Sequence, residues 1–100
     1  MGTALALPDE AAIVTRAVAE PAAFAALYDH YVHAVYNYVR YRVDSPFTAD
    51  ELTARIFEKA LSRLDSYRAD RGPFGVWLFT IARNVITDHL RAARRHGLLS

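Results

Sequence analysis

The stretch from Phe74 to Arg95 constrains this chain more than any other part of it. Phe74, Trp77, Leu78, Ile81, Ala82 and Val85 recur at the i, i+3, i+4 spacing of a buried helix face. Thr80, Arg83, Asn84, Thr87, Arg91, Arg94 and Arg95 fall on the other side. Such a segment can only be a helix that lays an aromatic stripe on a core and shows an arginine-rich strip outward. Arginine and asparagine on a helix anchored in this way suit contact with a nucleic acid.

The rest of the chain supplies the core that this helix needs. The 100 residues are 53% hydrophobic, enough for one small folded domain and too apolar for a disordered tail. Only four glycines and four prolines are present, so the expected class is all-α. There is no cysteine, which excludes disulfides and thiolate metal sites and permits an intracellular location. The first residues lack the basic flank and long apolar run of a signal peptide, and no apolar run approaches a membrane span. A cytoplasmic protein with no membrane association is expected.

A net charge of +1 conceals an asymmetry. Asp9, Glu10, Glu20 and Asp29 in the first thirty residues face only Arg16, whereas Arg71, Arg83, Arg91, Arg94 and Arg95 near the other end face only Asp88. That distribution predicts one basic face for a polyanion. Helix-dipole complementation is the simpler account of Arg94 and Arg95, but not of Arg83.

Four helices with short connections are predicted, in a compact bundle. The first spans Asp9 to Glu20, with acids in its first turn and Pro21 ending it. Ile13, Ala17 and Val18 form its narrow stripe. The second spans Pro21 to about Val43, with proline where its missing amide is harmless. Phe24, Leu27, Tyr28, Tyr31, Val35, Tyr38 and Val39 form its core stripe. The tyrosines read as core packing with their hydroxyls reaching water rather than as a base-stacking platform; Tyr36 and Tyr41 lie off the stripe, where contact with a partner is only the second reading.

Asp44 to Phe47 is read as a turn. Thr48 and Glu51 then read as a capping box opening a third helix, with Leu52, Ile56, Phe57, Ala60, Leu61 and Leu64 inward. Asp50, Ala54, Arg55, Glu58 and Ser62 face outward, and Glu51 with Arg55 makes an i, i+4 pair worth about 0.2–0.5 kcal/mol. Asp65 to Pro73 is a loop closed by a Gly-Pro breaker, too long for a helix-turn-helix turn. The last helix is expected to stop at Gly97.

Trp77, Leu78, Ile81, Ala82, Arg83, Asn84, Asp88, Leu90, Arg91, Arg94 and Arg95 together resemble the signature of region two of bacterial sigma factors, above all the extracytoplasmic-function class. Ala49 to Leu52 with Phe57, Ala60 and Leu64 resembles the preceding helix of that family, and Phe24 to Tyr31 its opening helix. The resemblance covers about residues 22–96. It divides the chain into an N-terminal acidic helical segment (1–21), a region two domain (22–96) and the start of a linker (97–100), with no region four domain expected.

The resemblance implies a promoter-recognition domain that directs transcription initiation by binding core RNA polymerase and melting the minus-ten element. Asp50, Glu51, Ala54, Arg55 and Glu58 would meet the clamp helices of the largest polymerase subunit. Ser66 to Arg71 would form a base-capturing loop for the minus-ten non-template strand. Within it Tyr67 would supply a wall, Arg68 and Asp70 would read base edges, and Arg71 would add charge. Arg83, Asn84, Thr87, Arg91, Arg94 and Arg95 would line the promoter path. Trp77, on the apolar stripe, is expected in the core, with strand contact the second reading. An anti-sigma factor is a further implied partner.

One departure stands out: the family often has glutamine followed by an acid where this chain has Ala54 and Arg55, which sets a cation against basic clamp helices. Two other readings compete, a helical protein-interaction module with a solvated basic face and a regulator of double-stranded DNA. An enzyme is not expected. No phosphate loop or nucleophile set is present, no cofactor is implied, and Asp29, His30 and His33 read as exposed helix residues rather than a metal site.

Overall fold

In the computed structural model, residues 6–99 are described, with side chains to Gly97. Four helices carry the fold: α1 (Glu10–Ala19), α2 (Ala25–Arg40), α3 (Pro46–Ser62) and α4 (Phe74–Leu99). No strand occurs among the described residues, so the all-α bundle is the observed architecture. α3 packs against both α2 and α4, which also touch each other, and α1 lies across the start of α2 and the short 3₁₀ turn Leu64–Ser66.

The core follows the apolar periodicity. Leu27, Tyr31, Val35 and Val39 of α2 meet Ala49, Leu52, Ile56 and Ala60 of α3, with Phe74, Leu78, Ala82 and Val85 of α4 closing the third side. Burying aliphatic side chains of this size contributes about 1.5–3 kcal/mol each. Tyr28, expected in the core, is partly exposed, but its ring packs edge-on against Phe57 at 4.9 Å. Leu61 also turns outward, while Thr53 takes an inward position.

The register of α1 differs from expectation. Glu10, Val14 and Ala17 point inward, Ile13 is half-buried and Val18 is exposed. The physical reason is a polar anchor. The Glu10 carboxylate accepts hydrogen bonds from the Leu7 amide (3.1 Å) and from the Tyr31 hydroxyl (2.7 Å). Asp9 turns the chain into α1 with a φ of 55°, a left-handed conformation that aspartate tolerates.

Three helix ends also differ. Pro21–Phe24 forms a 3₁₀ turn rather than the start of α2. α2 ends at Arg40, because Arg42 and Arg40 use Nη1 to bond the Tyr38 and Val43 carbonyls at 2.8 and 3.2 Å. α3 starts at Pro46, two residues before the expected Thr48. Ser45, in extended conformation, accepts the Thr48 amide at 3.1 Å, and proline fits the first helical position. Glu51 is exposed and is not the acid of a capping box.

α4 runs through Gly97 to Leu99 instead of stopping there, since Gly97 is exposed and takes no left-handed turn. Its 26 residues reach about 39 Å at 1.5 Å per residue. Among the described side chains Ile86 is the last buried one, so the turns carrying Arg91, Arg94 and Arg95 extend past the core. The linker expected from residue 97 begins inside this helix, and Ser100 lies outside the described residues, as do the first five residues of the acidic segment.

Candidate nucleic-acid interface

The loop between α3 and α4 is held by aromatic packing rather than by length alone. Phe74, fully buried, stands at the centre of three other rings. Its ring lies 5.6 Å from Tyr31, 5.6 Å from Tyr67 and 5.5 Å from Trp77, and Tyr67 lies 5.6 Å from Trp77. Tilted and edge-on contacts of this kind each contribute about 0.5–1.5 kcal/mol beyond burial. One helix, one loop and the start of the next are thereby fixed to each other.

The loop itself contains two 3₁₀ turns, Leu64–Ser66 and Ala69–Arg71. The Tyr67 hydroxyl donates to the Gly72 carbonyl at 2.7 Å, spanning the second turn. Gly72 has a φ of 139°, where a Cβ is strained, so glycine is required at the point where the chain swings into Pro73 and α4. Arg68 Nη1 donates to the Asp65 carbonyl at 2.8 Å and to the Tyr67 carbonyl at 3.2 Å, and the Ser66 hydroxyl donates to the Arg63 carbonyl at 2.6 Å. Burial, and secondarily the negative Glu10, raises the Tyr67 hydroxyl above its ordinary range and keeps it protonated.

These constraints leave an open depression of about 280 Å³ lined by Ser66, Tyr67, Arg68, Arg71, Pro73 and Trp77, with Gly72 and Val76. Its walls are rings and its rim is guanidinium. Tyr67 contributes a half-buried ring whose hydroxyl is already engaged, so it offers a face rather than a hydrogen bond. Arg68 and Arg71 are exposed at the rim, and Asp70 is exposed without lining the depression. Trp77, expected in the core, is half-buried and shares its ring between the aromatic cluster and this wall.

Along α4, Arg83, Asn84, Arg91, Arg94 and Arg95 are exposed and Thr87 is half-buried. The loop and this strip are joined through the first turn of α4. Asp50, Glu51, Ala54, Arg55 and Glu58 are all exposed as well, but on α3, and none of them borders the depression. The two sets are separate surfaces. Pro73, Val76 and Trp77 were not in the sequence-derived site. Their place in the wall depends on how the loop folds back, although Trp77 beside a Gly-Pro breaker was a usable signal.

Elsewhere, His30 sets its ring edge-on to Tyr31 at 4.8 Å, and His33 is exposed. Among the described residues no cluster of three or more metal-ligating groups occurs, and no helix is long and apolar enough to cross a membrane.

Comparison with known proteins gives a consistent picture. The family model described as sigma-70 region 2 matches residues 27–96. The chain is 45% identical over 83 residues to the ECF RNA polymerase sigma factor BldN of Streptomyces coelicolor, covering 82% of this chain and 31% of that protein. It is 31% identical over 78 residues to the ECF RNA polymerase sigma factor SigL of Mycobacterium tuberculosis, covering 78% of this chain and 44% of that one. A solved structure of an RsbN–BldN complex superposes with a TM-score of 0.69 at 46% identity, covering 80% of this chain and 59% of the solved one. The chain thus spans between about a third and somewhat under half of the curated relatives it matches.

Proposed function

The chain belongs to the sigma-70 region 2 family as a region two domain of the extracytoplasmic-function class, and from that premise we propose that it recognises the minus-ten element of a promoter as a single strand. The observation that carries this reading is the ring-walled, arginine-rimmed depression of Tyr67, Arg68, Arg71 and Trp77 at the head of the α4 strip. Promoter opening needs no bond chemistry. It needs tighter binding to a separated strand with an extruded base than to the duplex. Unstacking a base costs a few kcal/mol, and stacking it on an aromatic wall returns about 1–3 kcal/mol.

In this reading one base of the non-template strand enters the depression against Tyr67 and Trp77, with Arg68 and Arg71 at its edges and Asp70 on the exposed loop outside it. Arg83, Asn84 and Thr87 follow the adjoining nucleotides, and Arg91, Arg94 and Arg95 neutralise phosphates further along α4. The exposed α3 face of Asp50, Glu51, Ala54, Arg55 and Glu58 serves core RNA polymerase at the clamp helices of its largest subunit. An anti-sigma factor is a further partner; the similar BldN was solved as a complex with RsbN, which supports a protein-binding role for this domain.

The test is binding of a minus-ten oligonucleotide library in single- and double-stranded form. Preference for one short single-stranded sequence supports the reading. Equal, sequence-independent binding of both forms would leave only a basic helical surface.

A further inference from the structure

Glu10 is an acid at the start of α1, yet only 9% of it is exposed. It precedes the 27–96 span that matches the family model. Its Oε2 accepts hydrogen bonds from the Leu7 amide at 3.1 Å and from the Tyr31 hydroxyl at 2.7 Å. The contact continues from Tyr31 into the loop site. A Cβ added to Gly75 would stand 3.3 Å from the Tyr31 hydroxyl oxygen, so the first turn of α4 rests directly on this side chain. The Tyr31 ring meets Phe74 at 5.6 Å, and Phe74 in turn meets Tyr67 and Trp77 at 5.6 and 5.5 Å. α1 also packs on Leu64–Ser66, the turn that opens the loop. Glu10 thereby reaches the loop at both ends, its start through α1 and its exit through Tyr31.

Resting on the single-strand reading above, we propose that Glu10 is a positioning residue for base capture: acting through Tyr31 and Phe74, it fixes the Tyr67 and Trp77 rings at the spacing that a base enters. Fold stability alone does not call for a carboxylate here, because apolar residues of similar volume in place of buried charges are often as stable or more so. A satisfied buried polar contact instead specifies a single arrangement. Its hydrogen bond is directional, whereas apolar packing tolerates some sliding. That matters for a depression walled by two rings, since a binding site works only when its walls are held in place by the side chains behind them. The charge is also felt at the wall: after burial, Glu10 is the second cause that raises the Tyr67 hydroxyl.

The experiment reads loop geometry without DNA and base capture with it. Trp77 is the only tryptophan and lines the depression, so its emission and its quenching by acrylamide report the wall in the free full chain. Affinity is then measured for the single strand preferred in the library test and for an abasic strand of the same length, which offers backbone but no base. Glu10→Ala, Glu10→Gln and Tyr31→Phe are compared with the unaltered protein and with Ser45→Ala, which weakens the α3 cap and leaves this network intact. Circular dichroism selects a temperature at which every variant is folded.

Glu10→Ala and Tyr31→Phe should shift the Trp77 emission and lose at least about fivefold in affinity for the base-bearing strand, the equivalent of one stacked base. The abasic strand should bind as before. Glu10→Gln keeps an oxygen that can accept the Tyr31 hydroxyl and should keep the affinity, and Ser45→Ala should match the unaltered protein in both readouts. Equal losses on both strands, or the same losses in Ser45→Ala, would show a general effect of stability and overturn the positioning role. So would a Glu10→Gln no better than Glu10→Ala. A library with no preferred strand removes the promoter reading and base capture with it, whereas unchanged Trp77 emission and strand affinity in Glu10→Ala overturns the role of Glu10 alone.

Discussion

The Tyr31 hydroxyl donates a buried 2.7 Å hydrogen bond to the Glu10 carboxylate, joining residues 21 apart in sequence. Because the Tyr31 ring also rests on Phe74, the bond couples α1 to the aromatic cluster that shapes the loop. Hydrogen bonds to charged groups contribute about 1.5–3 kcal/mol. Tyr31→Phe should therefore destabilise the fold by about that amount and lower the thermal midpoint by about 6–24 °C, at about 4–8 °C per kcal/mol for a domain of this size. Burial first, and Glu10 second, raises the Tyr31 hydroxyl well above its ordinary value of 10.0. The unfolded chain then releases this proton at lower pH than the folded one. The associated stability is intact below about pH 10 and declines as pH rises beyond it. Denaturant melts through that alkaline range should show the decline, and Tyr31→Phe should flatten it, leaving the part due to Tyr67. A midpoint unaffected by the substitution would discount the bond.

Ser45, rather than Thr48 with Glu51, caps α3. Ser45→Ala should cost about 1 kcal/mol, the usual loss for a helix cap. Glu51→Ala, at an exposed position, should stay within about 0.5 kcal/mol. Equal losses in chemical denaturation would restore the capping box.

Two substitutions test whether loop shape governs strand binding. Gly72→Ala meets no atom within 4 Å but forces a side chain onto a φ of +139°, a strain of about 1–3 kcal/mol. Tyr67→Phe removes the bond to the Gly72 carbonyl. Both should weaken binding of a single-stranded promoter fragment, with Gly72→Ala the more severe. Full affinity in Gly72→Ala would mean that the depression is not where the strand binds.

Arg83 and Asn84 are neighbours on the exposed strip and should fail differently. Arg83→Ala should reduce the dependence of log affinity on log salt by about 0.7, one phosphate contact on a single strand. Asn84→Ala should lower affinity and leave the slope alone. A titration series in salt reads both, and identical behaviour would remove the distinction between grip and reading.

Arg55 stands exposed among Asp50, Glu51 and Glu58. If that face meets basic clamp helices, Arg55→Glu should speed association with core polymerase, with the gain shrinking as salt rises. Slower association would argue that this face meets a partner of the opposite charge.

Much of this architecture was legible residue by residue. The stripe of Phe74, Leu78, Ile81 and Ala82 is buried as its spacing requires, and Arg83, Asn84 and Arg91 are exposed opposite it. Glu10 was not legible. An acid in the first turn of a helix reads as dipole complementation, and nothing local marks it as the partner of a tyrosine on another helix. Val18 was misplaced for the same reason, since turning Glu10 inward rotates α1. Gly97 was read as a stop, but an exposed glycine within a helix costs only about 0.5–1 kcal/mol relative to alanine, and neighbouring turns carry it.

What the sequence by itself determined is local: which segments are helical, which side of each is apolar, and where positive charge collects. These depend on periodicity and backbone preference, both short-range. Tertiary structure alone decided that Trp77 is shared between core and surface, that Tyr67 spends its hydroxyl on Gly72, and that Glu10 holds Tyr31 against the first turn of α4. Those outcomes depend on how α1, the loop and α4 meet around Phe74. Contacts between distant segments are fixed by packing and by satisfying buried polar groups, and neither leaves a periodic mark in the chain.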